Sequence, residues 1–112
     1  MSISARDQAR IGKMLLEGRR GARQPVIACR WIEAMGEPCP VAPFYGQLVW
    51  LNRDRDEQAF PCASPQVMFM LGAGGHTVWV DPGLDSVVVL RWPDPTHAAT
   101  VIRRIAAALA GG

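Results

Sequence analysis

Ser64, His76 and Asp81 or Asp85 are the residue types of a nucleophilic triad: a hydroxyl to attack, an imidazole to take its proton, and a carboxylate to hold the imidazole. No nucleophile-elbow sequence surrounds Ser64, and spacing along the chain does not define the geometry such a site needs. His76 is read more simply as a polar residue beginning a strand, and His97 as an exposed helix residue. Cys29, Cys39 and Cys62 are odd in number and lack CxxC spacing, and neither histidine lies near enough for local metal-ligand spacing. Free, reduced thiols and no metal are the expectation. Cys62 lies between Pro61 and Ala63, without a neighbouring base or cation to favour its thiolate. Arg19, Arg20 and Arg23 read as solvated charge at a helix end rather than a phosphate site. Trp31, Trp50, Trp79 and Trp92 read as core aromatics rather than a ligand box, because three of them sit in strand patterns with apolar neighbours.

The elements that must position these residues follow from patterning. Ser4 in SARD caps a helix expected over Ala5 to Glu17, with Asp7 in its first turn, Ile11, Met14 and Leu15 on one face, and Gly18 closing it. Gly21 to Pro25 is a turn or linker. CRWIEAM, Cys29 to Met35, predicts a short second helix with Trp31, Ile32 and Met35 on one side. GEPCPVAP holds three prolines and must be loop. YGQLVWL, Tyr45 to Leu51, predicts the first strand, Asn52 to Gln58 an exposed charged connection, and Phe60 to Pro65 an irregular segment. A second strand is expected from Gly75 to Val80, a turn at Asp81 to Asp85, and a third strand from Ser86 to Trp92, whose run Val87-Val88-Val89-Leu90 implies burial on both faces. Asp94-Pro95 then caps a last helix with Ala98, Val101, Ile102, Ile105 and Leu109 on one stripe, Arg103 and Arg104 off it, and Gly111 at its end.

The fold class expected is α+β: a small antiparallel sheet of three or more strands, with the C-terminal helix on one face and the N-terminal helix elsewhere. A chain of 112 residues, 49% apolar, is sized for one packed domain. Its expected parts are a helical segment over 1–36, proline-rich and charged loops around the first strand over 37–65, and the hairpin and terminal helix over 66–112. Twelve basic against ten acidic residues leave a charge of +2, too little to imply nucleic acid or a membrane surface as a partner. No apolar run approaches a bilayer span and the N-terminus is a charged helix pattern, so the chain as written is expected in the cytoplasm.

The order of elements resembles the C-terminal portion of the serine β-lactamase-like hydrolases, in the branch of penicillin-binding-type esterases, class C β-lactamases and 6-aminohexanoate-oligomer hydrolases. Four segments carry the resemblance: SARDQARIGKMLLEG, YGQLVWLN, LGAGGHTVWVDPGLDSVVVLRW and the closing helix. By length the chain resembles about the last third of such an enzyme. The resemblance implies amide or ester hydrolysis through an acyl-serine, without metal or organic cofactor. It also implies a Lys/His-Thr/Ser-Gly type motif on a strand edge near the serine, with a backbone N–H close by for the oxyanion. The comparable place is Met70-Leu71-Gly72-Ala73-Gly74-Gly75, where Gly72 matches the motif glycine and the N–H of Ala73 or Gly74 is the oxyanion candidate. Met70 stands where that motif often has a cation, which touches carboxylate recognition but not a backbone donor. Read without the family, the same glycines mark a bulge or a close approach of backbones.

The family's Ser-x-x-Lys does not occur in this sequence. The residues three after Ser2, Ser4, Ser64 and Ser86 are Ala5, Asp7, Val67 and Val89, and the lone lysine, Lys13, has Arg10 three before it. Tyr45 is followed by Gly46 and Gln47 and makes no Tyr-x-Asn. The expectation is therefore an enzyme part, inactive alone, whose partner is a complementing upstream segment. A non-catalytic domain that self-associates through an uncovered sheet face or strand edge is the second reading. A complete small enzyme using Ser64 and His76 is the third.

Overall fold

The structure, a computed structural model, describes residues 2–21, 23–53, 60 and 63–111. Cys62, and all of the Asn52 to Gln58 connection after Arg53, lie outside the described residues. Among the described residues, three α-helices flank one antiparallel sheet of four strands: α1 (Ala5–Arg19), α2 (Cys29–Met35), β1 (Trp50–Leu51), β2 (Met68–Leu71), β3 (Thr77–Asp81), β4 (Ser86–Leu90) and α3 (Ala98–Gly111). The strands lie in sequence order, β1-β2-β3-β4, each antiparallel to the next.

Strand alternation sends the two faces of the sheet to different partners. Leu51, Met68, Val80 and Val87 meet Leu15 and Leu16 of α1, Ile32 of α2 and Val49. Trp50, Phe69, Trp79 and Val88 meet Ile102 of α3 together with Phe60, Ala63 and Val67. The register places Trp50 opposite Phe69 and Phe69 opposite Trp79. Their rings stack across three strands with centroids 6.5 and 5.5 Å apart, and Phe60 meets Trp79 edge-on at 5.2 Å. Cross-strand aromatic pairs of this kind contribute beyond the area they bury.

α1 begins as its cap requires. The Ser4 hydroxyl accepts the Asp7 N–H at 3.1 Å and donates to the Asp7 carboxylate at 2.9 Å. The helix does not stop at Gly18 but runs on to Arg19. Gly18 is buried, and a Cβ there would overlap Cδ1 of Ile32, so this glycine lets α2 cross α1. Gly12 does the same toward the sheet, since a Cβ would lie 2.5 Å from Cγ1 of Val87.

Other expectations need correction. The first strand is Trp50–Leu51 rather than Tyr45 to Leu51, because the chain doubles back just before it: Gly46 N–H donates to the Val49 carbonyl at 2.9 Å, and Leu48 takes φ 65°. Met68–Leu71 is a fourth strand, and the glycine cluster is the turn joining it to β3. β3 begins at Thr77, two residues late, and β4 ends at Leu90, two residues early. The residues of β4 are all half-buried, since this edge strand has cover on both faces but, among the described residues, a neighbouring strand on one side only. Trp31 and Trp92 are 55% and 72% exposed and are not core aromatics. Asn52, expected in an exposed connection, is fully buried. Asp94 accepts the N–H groups of His97 and Ala98 on its carbonyl, so a turn through Pro95 precedes α3. Its carboxylate accepts the Thr96 hydroxyl at 2.7 Å and the Thr96 N–H at 2.9 Å. These bonds, with His97 beside the second oxygen, hold the exposed Asp94 carboxyl below the usual range.

Candidate functional site

The glycine end of the sheet is built by the β2–β3 connection. Gly72 leaves β2 extended, and its N–H donates to the His76 carbonyl at 2.9 Å while its carbonyl accepts the Gly75 N–H at 3.1 Å. Gly74 and Gly75 take φ 81° and 80°, values open to glycine at little cost. The Gly72 N–H, the first of the glycine-cluster candidates, is thus engaged in closing the turn. The N–H groups of Ala73 and Gly74 donate to no group among the described residues, and both residues are exposed.

Trp92 and His76 complete this end. The Trp92 indole lies against Gly74, where a Cβ would be 2.5 Å from its Cζ3. Its ring meets the His76 imidazole edge-on with centroids 4.3 Å apart, and the main-chain N–H of Trp92 donates to His76 Nδ1 at 3.3 Å. That bond occupies the Nδ1 lone pair, so neutral His76 carries its proton on Nε2.

The opposite end of β3 holds the other candidates. The Asp81 side chain is fully buried and its Oδ1 accepts the N–H groups of Gly83 and Leu84 at 2.9 and 3.1 Å. Ser64 Oγ accepts the Gln66 N–H at 3.1 Å and borders Gly83, beside Asp81. Asp85 lies on the surface, paired with Arg20 at 2.5 Å. Asp81 is the last of the five residues of β3 and His76 immediately precedes the first, so five strand steps, a span of about 17 Å, part them. Ser64, His76 and Asp81 or Asp85 therefore form no triad. Ser64 and Asp81 are brought together at the hairpin turn, and His76 is carried to the far end.

Asn52 is the residue that sequence reasoning missed at this second end. Its amide donates to the carbonyls of Phe60 and Ser64 at 3.0 and 2.9 Å, and its carbonyl oxygen accepts the Phe60 N–H at 2.8 Å. One polar letter after an apolar strand carries no signal for this. Asp81 Oδ2 and Ser86 Oγ have no partner among the described residues, and both residues border a small cavity under α3 with Leu84, Ile102 and Leu109. Among the described residues no group of three or more His, Cys, Asp or Glu could hold a metal ion, and no helix is long and apolar enough to cross a membrane.

The fold and its exposed turn define an α+β unit in which a glycine-turned hairpin, between an N-terminal and a C-terminal helix, presents open backbone donors at one end of the sheet. In sequence the chain is similar to 6-aminohexanoate-dimer hydrolase of Paenarthrobacter ureafaciens, 27% identical over 113 residues that cover 85% of this chain and 26% of that protein. The chain thus spans about a quarter of the length of the relative it matches. No protein-family model matches it, and no solved structure does.

Proposed function

We propose that this chain is the C-terminal part of a serine β-lactamase-like hydrolase and that its β2–β3 turn lends the N–H groups of Ala73 and Gly74 to the oxyanion of an acyl-transfer reaction. The observation that carries the reading is this pair of uncommitted donors on an exposed turn, in a chain similar to part of a hydrolase. In the reaction, a serine oxygen attacks an ester or amide carbonyl and passes its proton to a lysine amine. The carbonyl oxygen takes the negative charge, and that is where the two N–H groups act. The leaving group departs with a proton, and water then releases the acyl group from serine. Each such donor contributes on the order of a hundredfold or more in kcat. The serine and lysine come from outside these 112 residues, in which Ser-x-x-Lys does not occur.

Mixing this chain with a separately made upstream segment bearing Ser-x-x-Lys, and assaying p-nitrophenyl butyrate, tests the reading. Hydrolysis in the mixture and in neither part alone is expected. Turnover by this chain unaided, titrating one centre per molecule, overturns it. Ala73→Pro sharpens the test: Gly72 at φ −123°, ψ 172° already has the backbone a following proline demands, and Ala73 opens the turn, so the change deletes one N–H and leaves the hairpin.

The second reading, a non-catalytic unit that self-associates, draws support from β4, an edge strand rich in valine with no strand on its outer side among the described residues. A stable, inactive homo-oligomer in sedimentation, with no hydrolysis in any mixture, favours it.

A further inference from the structure

Trp92 spends conformational energy that burial of its ring does not return. Its φ of 53° lies in the left-handed region, which disfavours a bulky residue. The side chain nevertheless remains 72% exposed. The residue is held there by three contacts: the hydrogen bond from its main-chain N–H to His76 Nδ1, the edge-on packing against the His76 ring, and the seat on Gly74. Both neighbours, His76 and Gly74, belong to the turn that carries the open N–H groups of Ala73 and Gly74. A strained residue kept in place by a local framework, presenting an aromatic surface to solvent beside uncommitted donors, is the arrangement of a recognition residue.

We infer that Trp92 is a specificity-determining residue: its indole forms an apolar wall for the substrate group next to the scissile carbonyl, selecting esters or amides with an extended apolar chain on one side of that carbonyl. This rests on the reading above, which puts the carbonyl oxygen at Ala73 and Gly74. The chain of the substrate then lies along the exposed part of the indole, and the polar partner of the site is backbone. Each methylene covered by the ring raises kcat/KM by about two- to fourfold, through KM.

Two ester series decide the matter in the complemented mixture: p-nitrophenyl acetate, butyrate and hexanoate to vary the acyl chain, and methyl, butyl and hexyl acetate to vary the alcohol. The wild-type mixture is expected to prefer longer chains in one series. Trp92→Gly, which accepts φ 53° and so keeps the backbone, is expected to flatten that preference, the loss on each longer ester appearing in KM. Trp92→Phe is expected to restore most of the slope. Hydrolysis with the chain-length preference intact in Trp92→Gly, or with no preference in either series for the wild type, overturns the inference and leaves the hydrolase reading standing. No hydrolysis in any mixture overturns that reading and this inference together.

Discussion

The two ends of β3 treat their polar groups in opposite ways. At the Asp81 end the polar groups are buried and mostly engaged: Asp81 Oδ1 closes the hairpin turn, and Asn52 stitches Phe60 and Ser64 to the sheet with three hydrogen bonds. At the His76 end the turn is exposed, two N–H groups find no acceptor among the described residues and Trp92 sits in a disfavoured backbone region. A buried donor or acceptor left without a partner costs about 1–3 kcal/mol, whereas an exposed one is satisfied by water. Open donors are therefore tolerable at one end of the strand and costly at the other. The residue types that promised a triad were divided between an end built for stability and an end free to meet a ligand.

That contrast can be broken by substitutions whose effects fall on stability at one end and on activity at the other. Asn52→Ala removes every bond made by a fully buried amide and leaves its partners unsatisfied, so urea unfolding should show a loss of about 3 kcal/mol or more. Ala73→Pro should lower kcat of the complemented mixture about a hundredfold while its unfolding midpoint stays within the change expected for about 1 kcal/mol. A larger stability loss would mean that the turn itself needs the Ala73 N–H. Asp81→Ala opens the hairpin turn and should cost about 1–2 kcal/mol, whereas Asp81→Asn keeps the Oδ1 acceptor and removes an unpartnered carboxylate oxygen from the interior. Equal losses in the two variants would show that charge, not the turn, is what Asp81 supplies.

Smaller effects are expected on the surface. Arg20→Met breaks an ion pair whose side chains are 58% and 62% exposed, and thermal unfolding should move by less than about 0.5 kcal/mol, less still in added salt. Asp94 offers a pH test at the exposed end. Its carboxyl titrates below the ordinary range because Thr96 bonds to the charged form, so its contribution is complete above the unfolded carboxylate pKa and is lost as pH falls through the lower folded value. Amide exchange in the first turn of α3 should quicken on that descent, and Thr96→Val should move the midpoint upward toward the ordinary value.

What could be read in advance was local. The Ser4 cap of α1, the α2 boundaries at Cys29 and Met35, the turn at Asp81, and the apolar stripe holding Ile102 all depend on residues within a turn or two of one another. Met68–Leu71 escaped because four apolar residues in a row show neither strand alternation nor helical spacing. The glycine cluster was legible as a special backbone, but whether it interrupted a strand or joined two depended on finding β2 in front of it.

By itself the sequence determined the α+β class, the order of helices and hairpin, and the lack of a Ser-x-x-Lys, because hydrogen-bonding caps, proline, glycine and periodicity act over a few neighbouring residues. Tertiary structure alone decided that Gly12 and Gly18 are contact points, that Asn52 is interior, that Ser64 and His76 are far apart, and that Trp92 leans on Gly74. Each of those outcomes depends on which distant segment arrives beside a residue. Burial and partnership are properties of that meeting, set by how the sheet packs between its helices, and no single stretch of chain carries them.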